Sequence, residues 1–151
     1  MLAVIVAAAC SGSQPSTFGL SSASTDPTYW CPGNANNAPY DVHASISMRN
    51  GTPSTVTITA VTALMTLEHV GGMWLEKVGD AYDAGTASFA PTTVKGGSNA
   101  TLKVKFRSAC TSPAYGTGES SYADYKITLR VTTSAGSYSI SSANLHRILA
   151  A

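Results

Sequence analysis

Between Ala123 and Val131 every second residue is apolar, with Ala123, Tyr125, Ile127, Leu129 and Val131 separated by Asp124, Lys126, Thr128 and Arg130. Successive side chains of a strand point to opposite faces, so this spacing predicts a half-buried β-strand; a helix would scatter the same residues around its circumference. The period recurs in Val42, Ala44, Ile46 and Met48, and again in Leu102, Val104 and Phe106, each time with polar residues between. From Thr55 to Leu67, Val56 and Ile58 keep one face, the phase breaks at Ala60-Val61, and Ala63, Met65 and Leu67 take over. A one-residue slip inside a long strand predicts a β-bulge or bend.

Turn signals separate these runs: Asn50-Gly51-Thr52-Pro53, Gly71-Gly72, Lys95-Gly96-Gly97-Ser98-Asn99 and Ser134-Ala135-Gly136. Met73-Trp74-Leu75 predicts a short third strand and Thr86 to Phe89 a weaker one, while Tyr138 and Ile140 begin a strand running toward Ile148. Strands that are half apolar and half polar bury one face each. The expected fold is therefore all-β, a two-sheet antiparallel β-sandwich of about seven strands, with a jelly roll or open barrel as the alternative.

Charged residues make up 11% of the 151-residue chain and the formal net charge is +1, too little basic field to hold a phosphate backbone. Nucleic-acid binding is excluded on that ground. The start of the chain is different in kind. Leu2-Ala3-Val4-Ile5-Val6 is an uncharged apolar run that passes through Ala7-Ala8-Ala9 to Cys10, and the chain then turns Ser-, Thr- and Pro-rich. The run is too short for a bilayer-spanning helix of about 20 residues but suits the apolar region of an export signal.

Ala7-Ala8-Ala9-Cys10-Ser11 resembles the lipobox of bacterial lipoproteins. The resemblance implies that Cys10 is acylated after cleavage and ties the protein to the cell envelope on the extracytoplasmic side. An ordinary secretory signal cut after Ala9 is the alternative, since Ala7-x-Ala9 also satisfies a small-residue cleavage rule. The domain reading is then residues 1–9 as signal peptide, 10–27 as a flexible Ser/Thr-rich tether, and 28–151 as the β-domain. With Cys10 lipidated, Cys31 and Cys110 are left to form a disulfide in an oxidising compartment, or to remain as two separate buried thiols. Cys31 precedes the first clear strand and Cys110 falls in a loop by this reading, so a bond between them would staple an edge.

From Tyr40 to Ile148 the chain also resembles the immunoglobulin-like or fibronectin-type-III-like modules of bacterial surface proteins. The resemblance rests on Ser47 to Pro53, Gly97 to Leu102 and the Tyr125 to Ile140 hairpin. It implies a non-catalytic binding or structural module.

Chemistry-bearing residues are sparse. His43, His69 and His146 stand at no triad or metal spacing and read as solvated or hydrogen-bonded bystanders. Glu76, Asp80 and Asp83 match no Asp-x-Asp-x-Asp-Gly calcium loop. No catalytic residue, metal set or cofactor is implied. Rings at predicted loops and strand ends, Trp30, Tyr29 and Tyr82 above all, are the candidate ligand contacts, because an exposed aromatic buries a large area at low entropic cost. The other reading places Trp74 in the core and Trp30 over its edge. Expected partners are the membrane, through the N-terminal lipid, and a protein or glycan. The expected function is an anchored envelope module, with a secreted carbohydrate-binding or adhesion module and a small hydrolase as alternatives.

Overall fold

The structure, a computed structural model, describes residues 17–33, 35, 37–110 and 121–150. The leader, Cys10 and the Ser11 to Ser16 stretch lie outside the described residues, as do Asn34 and Tyr115. Two sheets are present, and the described residues contain no helix. In the first, β1 (Phe18–Thr25), β3 (Ala38–Asn50), β8 (Asn99–Cys110) and β6 (Ser88–Ala90) follow one another in the order β1-β3-β8-β6. In the second, β2 (Thr28–Trp30), β11 (His146–Ala150), β9 (Ser121–Thr133), β4 (Val56–Gly71) and β5 (Ala81–Thr86) are ordered β2-β11-β9-β4-β5; β10 (Gly136–Ser141) pairs with β9, and β7 (Thr93–Val94) with β4.

The alternating residues meet between the sheets. Val42, Ile46 and Leu102 of the first sheet and Val61, Ile127, Leu129 and Val131 of the second are fully buried. Closing that layer removes apolar surface from water at about 25 cal/mol per Å², the main force holding the sheets together. The architecture is thus the expected β-sandwich. The phase break in β4 is a bulge, with the register against β9 shifting between Ile58 and Ala60, so that Val56, Ile58, Val61 and Ala63 all face inward.

Several expectations are corrected. The stretch read as tether, 10–27, contains a strand: β1 pairs with β3 from Phe18↔Asn50 to Thr25↔Ala44, so the sandwich begins by residue 18. Its inward residues are few, Phe18, Ala23 and Thr25 among them, and a register shift between Leu20 and Ser22 breaks the alternation. An edge strand needs only one apolar side, and here Asn144 supplies further hold: its Oδ1 accepts from the Thr25 amide at 3.0 Å and its Nδ2 donates to the Thr25 carbonyl at 2.8 Å. The described residues form eleven strands where about seven are expected, partly because the last run breaks after Ser141; β10 and β11 then lie in succession along β9. One pairing is parallel, that of β11 with β2. Met73-Trp74-Leu75 forms no strand, because it sits in the loop between β4 and β5 with no ladder partner.

Cys31 and Cys110 are bonded, with Cα atoms 5.9 Å apart. Cys110 ends β8 and Cys31 follows β2, so the bond ties the two sheets together at one end of the sandwich. It fastens edge strand β2, as the sequence reading expects of an edge staple, but it joins the two sheets, and Cys110 lies in a strand and not in a loop because β8 extends further than the apolar alternation suggests. Thr17 and Phe18 lie at the opposite end, beside Asn50 and Gly51. The 13 residues of β3 separate the two ends by about 40 Å, at about 3.3 Å per residue.

Candidate functional site

At the disulfide end the sheets part around a cavity of about 430 Å³, a size common among small-ligand sites. The loop after β4 shapes it. Gly71-Gly72 ends the strand as expected: a Cβ on Gly71 would enter the Tyr122 ring, and Gly72 has φ +68, a conformation open to glycine at little cost. The Met73 amide then donates to Ser121 Oγ at 3.1 Å. The loop closes through Gly79 and Asp80, the Gly79 amide donating to the Leu67 carbonyl at 2.8 Å and the Leu67 amide to the Asp80 carbonyl at 2.9 Å. Between these anchors the side chains alternate without a ladder. Trp74 and Glu76 are half-buried and line the cavity, whereas Met73, Leu75 and Val78 are about 60% exposed (60%, 58% and 60%).

Polar groups converge on Tyr125, which comes from β9. Trp74 Nε1 donates to the Tyr125 hydroxyl at 3.2 Å, and that hydroxyl reaches Glu76 Oε2 at 3.5 Å. Burial pushes the Tyr125 phenol up to about 12, and the nearby Glu76 and Asp80 carboxylates add to the shift. Tyr125 is therefore a neutral donor at ordinary pH. Asp80 also lines the cavity and accepts the Lys77 amide at 2.8 Å. Tyr82 of β5 completes the wall with its ring half in solvent.

The candidate aromatics therefore separate. Tyr82 belongs to the cavity. Tyr29 does not: it stacks on Tyr40, ring centroids 3.7 Å apart and 5° from parallel, and is partly buried against the core. Trp30 is 65% exposed on edge strand β2 and lines no part of the cavity, so it does not cover the core edge. Trp74 walls the cavity instead of filling the core. The carboxylates divide as well, because Asp83 is turned to the Gly85 amide at 2.8 Å while Glu76 and Asp80 face the cavity. Among the described residues no three His, Cys, Asp or Glu side chains stand together as a metal set.

No protein-family model matches the chain, and no curated protein does. Among solved structures, the ASH/PapD-like domain 7 of human CEP192 aligns over 99% of this chain and 94% of its own, at 6% identity and a TM-score of 0.33. AggA, the major subunit of aggregative adherence fimbriae type I from Escherichia coli, aligns over 89% and 95%, at 11% identity and a TM-score of 0.41. At such identity and overlap neither likeness assigns a function.

Two side-chain arrangements escape sequence reasoning altogether. Arg147 grips Asp124 with both ends of its guanidinium, Nε to Oδ1 at 2.6 Å and a terminal nitrogen to Oδ2 at 2.8 Å, and lies 4.2 Å from the centre of the Tyr122 ring. The guanidinium holds the Asp124 carboxyl below the usual carboxylate range. His146 is fully buried, with Nδ1 donating to the Asp26 carbonyl at 2.7 Å and Nε2 3.0 Å from the Tyr40 hydroxyl. Only its place inside the sandwich, invisible as a spacing, sets it apart from the exposed His43, which pairs with Asp26 Oδ2 at 2.9 Å.

Burial lowers the His146 imidazole below its ordinary value, while the Asp26 carbonyl and carboxylate oppose the shift. The unfolded chain takes up a proton near pH 6.5 and the folded one only at lower pH, so acidification through that window favours unfolding. The chemical-denaturation midpoint is expected to fall between pH 7 and pH 5, and His146→Gln to flatten that fall. A midpoint equal at both pH values in the parent protein would refute the linkage. The loss from protonating Asp124 comes separately, below about pH 4.

Proposed function

We propose that the chain is an exported, non-catalytic binding module, tethered to the cell envelope through lipid on Cys10, that meets its partner with the cavity end. The observation that carries this reading is the Cys31–Cys110 bond. Such a bond persists outside the reducing cytosol and accounts for two of three cysteines, leaving Cys10 as the odd thiol beside an apolar leader. Polarity of the domain supports the tether. The described chain begins at the Asn50 end of the sandwich, and the cavity with its apolar loop lies at the other. Three apolar side chains held in solvent on an anchored loop serve a docking role better than a solvent-facing one.

Labelled palmitate should enter the wild-type chain in a bacterial host and be absent from Cys10→Ala. Equal labelling of the two would refute the anchor. Cleavage after Ala9 with no label would support a freely secreted module in its place.

A further inference from the structure

The chemistry of the cavity selects among partners. Glu76 and Asp80 bring two negative charges to it, and no Lys, Arg or His is among its described lining residues. Neither carboxylate has an ion-pair partner among the described residues. Lys105 and Arg107 pair with Asp41 on the outer face of the first sheet and Arg147 with Asp124, and Lys77, between the two carboxylates in sequence, gives Asp80 its backbone amide and is not among the lining residues. Carboxylates at a cleft with low-dielectric walls attract a cation more strongly than the same groups on an open surface. The walls suit a cation on an aliphatic stem, because Trp74 and Tyr82 present rings able to face the charge and Met65, Ile148 and Ala150 are apolar.

We propose that this cavity receives the ammonium or guanidinium end of a Lys or Arg side chain from a partner polypeptide, whose apolar neighbours rest on Met73, Leu75 and Val78. The inference rests on the reading of the chain as a binding module and adds the class of group it binds. Charge complementarity in the cavity and the apolar rim belong to one loop, so a basic residue flanked by apolar ones engages both at once. The rim keeps water from the ion pair, which strengthens it.

Nitrogen-15 NMR titration of the domain with acetyl-Leu-Lys-Leu-amide, and with the peptide carrying norleucine for lysine, tests the inference. The lysine peptide should move the Trp74 indole N–H and the amides of Glu76, Asp80 and Ser108 to Cys110. The norleucine peptide, which keeps the aliphatic stem and lacks the ammonium group, should bind about tenfold more weakly or worse. Glu76→Gln with Asp80→Asn should abolish the discrimination while leaving resonances of the far end unmoved. Equal binding of the two peptides at the loop would overturn the basic-group inference and leave the binding module standing. Absence of shifts at the loop end with either peptide would overturn the inference and remove this end as the docking face. Cadaverine binding as tightly as the lysine peptide would overturn the polypeptide source, since the rim would then contribute nothing.

Discussion

Replacing Cys31 and Cys110 together by alanine should lower the melting temperature of the domain by roughly 15–20 °C, a loss of about 4–5 kcal/mol in the chain-entropy account of cross-links. The size follows from the loop the bond closes, a sequence separation of 79 residues. An unfolded chain freed of that link gains many conformations, and the folded state gains far fewer. A second consequence is local. Both cysteines line the cavity, where β8 of one sheet meets the segment after β2 of the other, so losing the bond frees the sheets to part there. The lysine-peptide shifts at Ser108 to Cys110 should weaken even at temperatures where the variant remains folded. Thermal denaturation followed by circular dichroism reads the first effect. A double variant melting within about 3 °C of the parent would show that the link constrains the denatured chain little.

The strands that carry the core were legible because burial and sequence period coincide. In β9 every expected inward residue from Ala123 to Val131 is buried, and even the slip in β4 appears as a bulge within a residue of the break. The edges were less legible for a physical reason. β1 buries Phe18 and Ala23 across a register shift, and much of its hold comes from backbone bonds to β3 and to Asn144, which leave no apolar pattern. The candidate site was half legible. Tyr82 belongs to it, but the sequence presents Trp74 as a core ring within a strand, Met73-Trp74-Leu75, that lacks a neighbour to pair with, and Glu76 and Asp80 only as acids at no calcium-loop spacing. The ladder that would decide between a strand and a loop wall is a long-range feature. The same holds for Tyr29 and Trp30, adjacent in sequence, one stacked on Tyr40 and the other facing water.

Asn50 offers the clearest case of a local residue with a non-local role, and its loss should rank with that of the disulfide. Its side chain has no exposure and fills all of its hydrogen-bonding capacity. Nδ2 donates to the carbonyls of Ser54 at 2.8 Å and Val94 at 2.9 Å, while Oδ1 accepts from the Thr52 amide at 3.1 Å and the Thr52 hydroxyl at 2.7 Å. One side chain thus joins the end of β3, the turn to β4 and strand β7. The amide nitrogen of the Asn50-Gly51-Thr52 sequence is consequently closed to glycan attachment in the folded protein. Asn50→Ala leaves buried backbone groups without partners at about 1–3 kcal/mol each, an expected loss of about 3–5 kcal/mol in total. Asn50→Asp preserves shape but turns an anionic oxygen toward two carbonyl oxygens, so at neutral pH it should be at least as damaging. The sign with pH distinguishes the two variants. A carboxyl that is neutral in the fold has its pKa raised there, and the penalty on the aspartate variant shrinks as pH falls toward about 4, where a protonated acid can donate to one carbonyl again. The alanine variant has nothing to protonate and keeps its deficit. Urea midpoints for both variants and the parent, measured from neutral pH down to pH 4, should show the gap to the parent closing for aspartate alone. A constant gap for both would mean that the two carbonyls do not depend on this side chain.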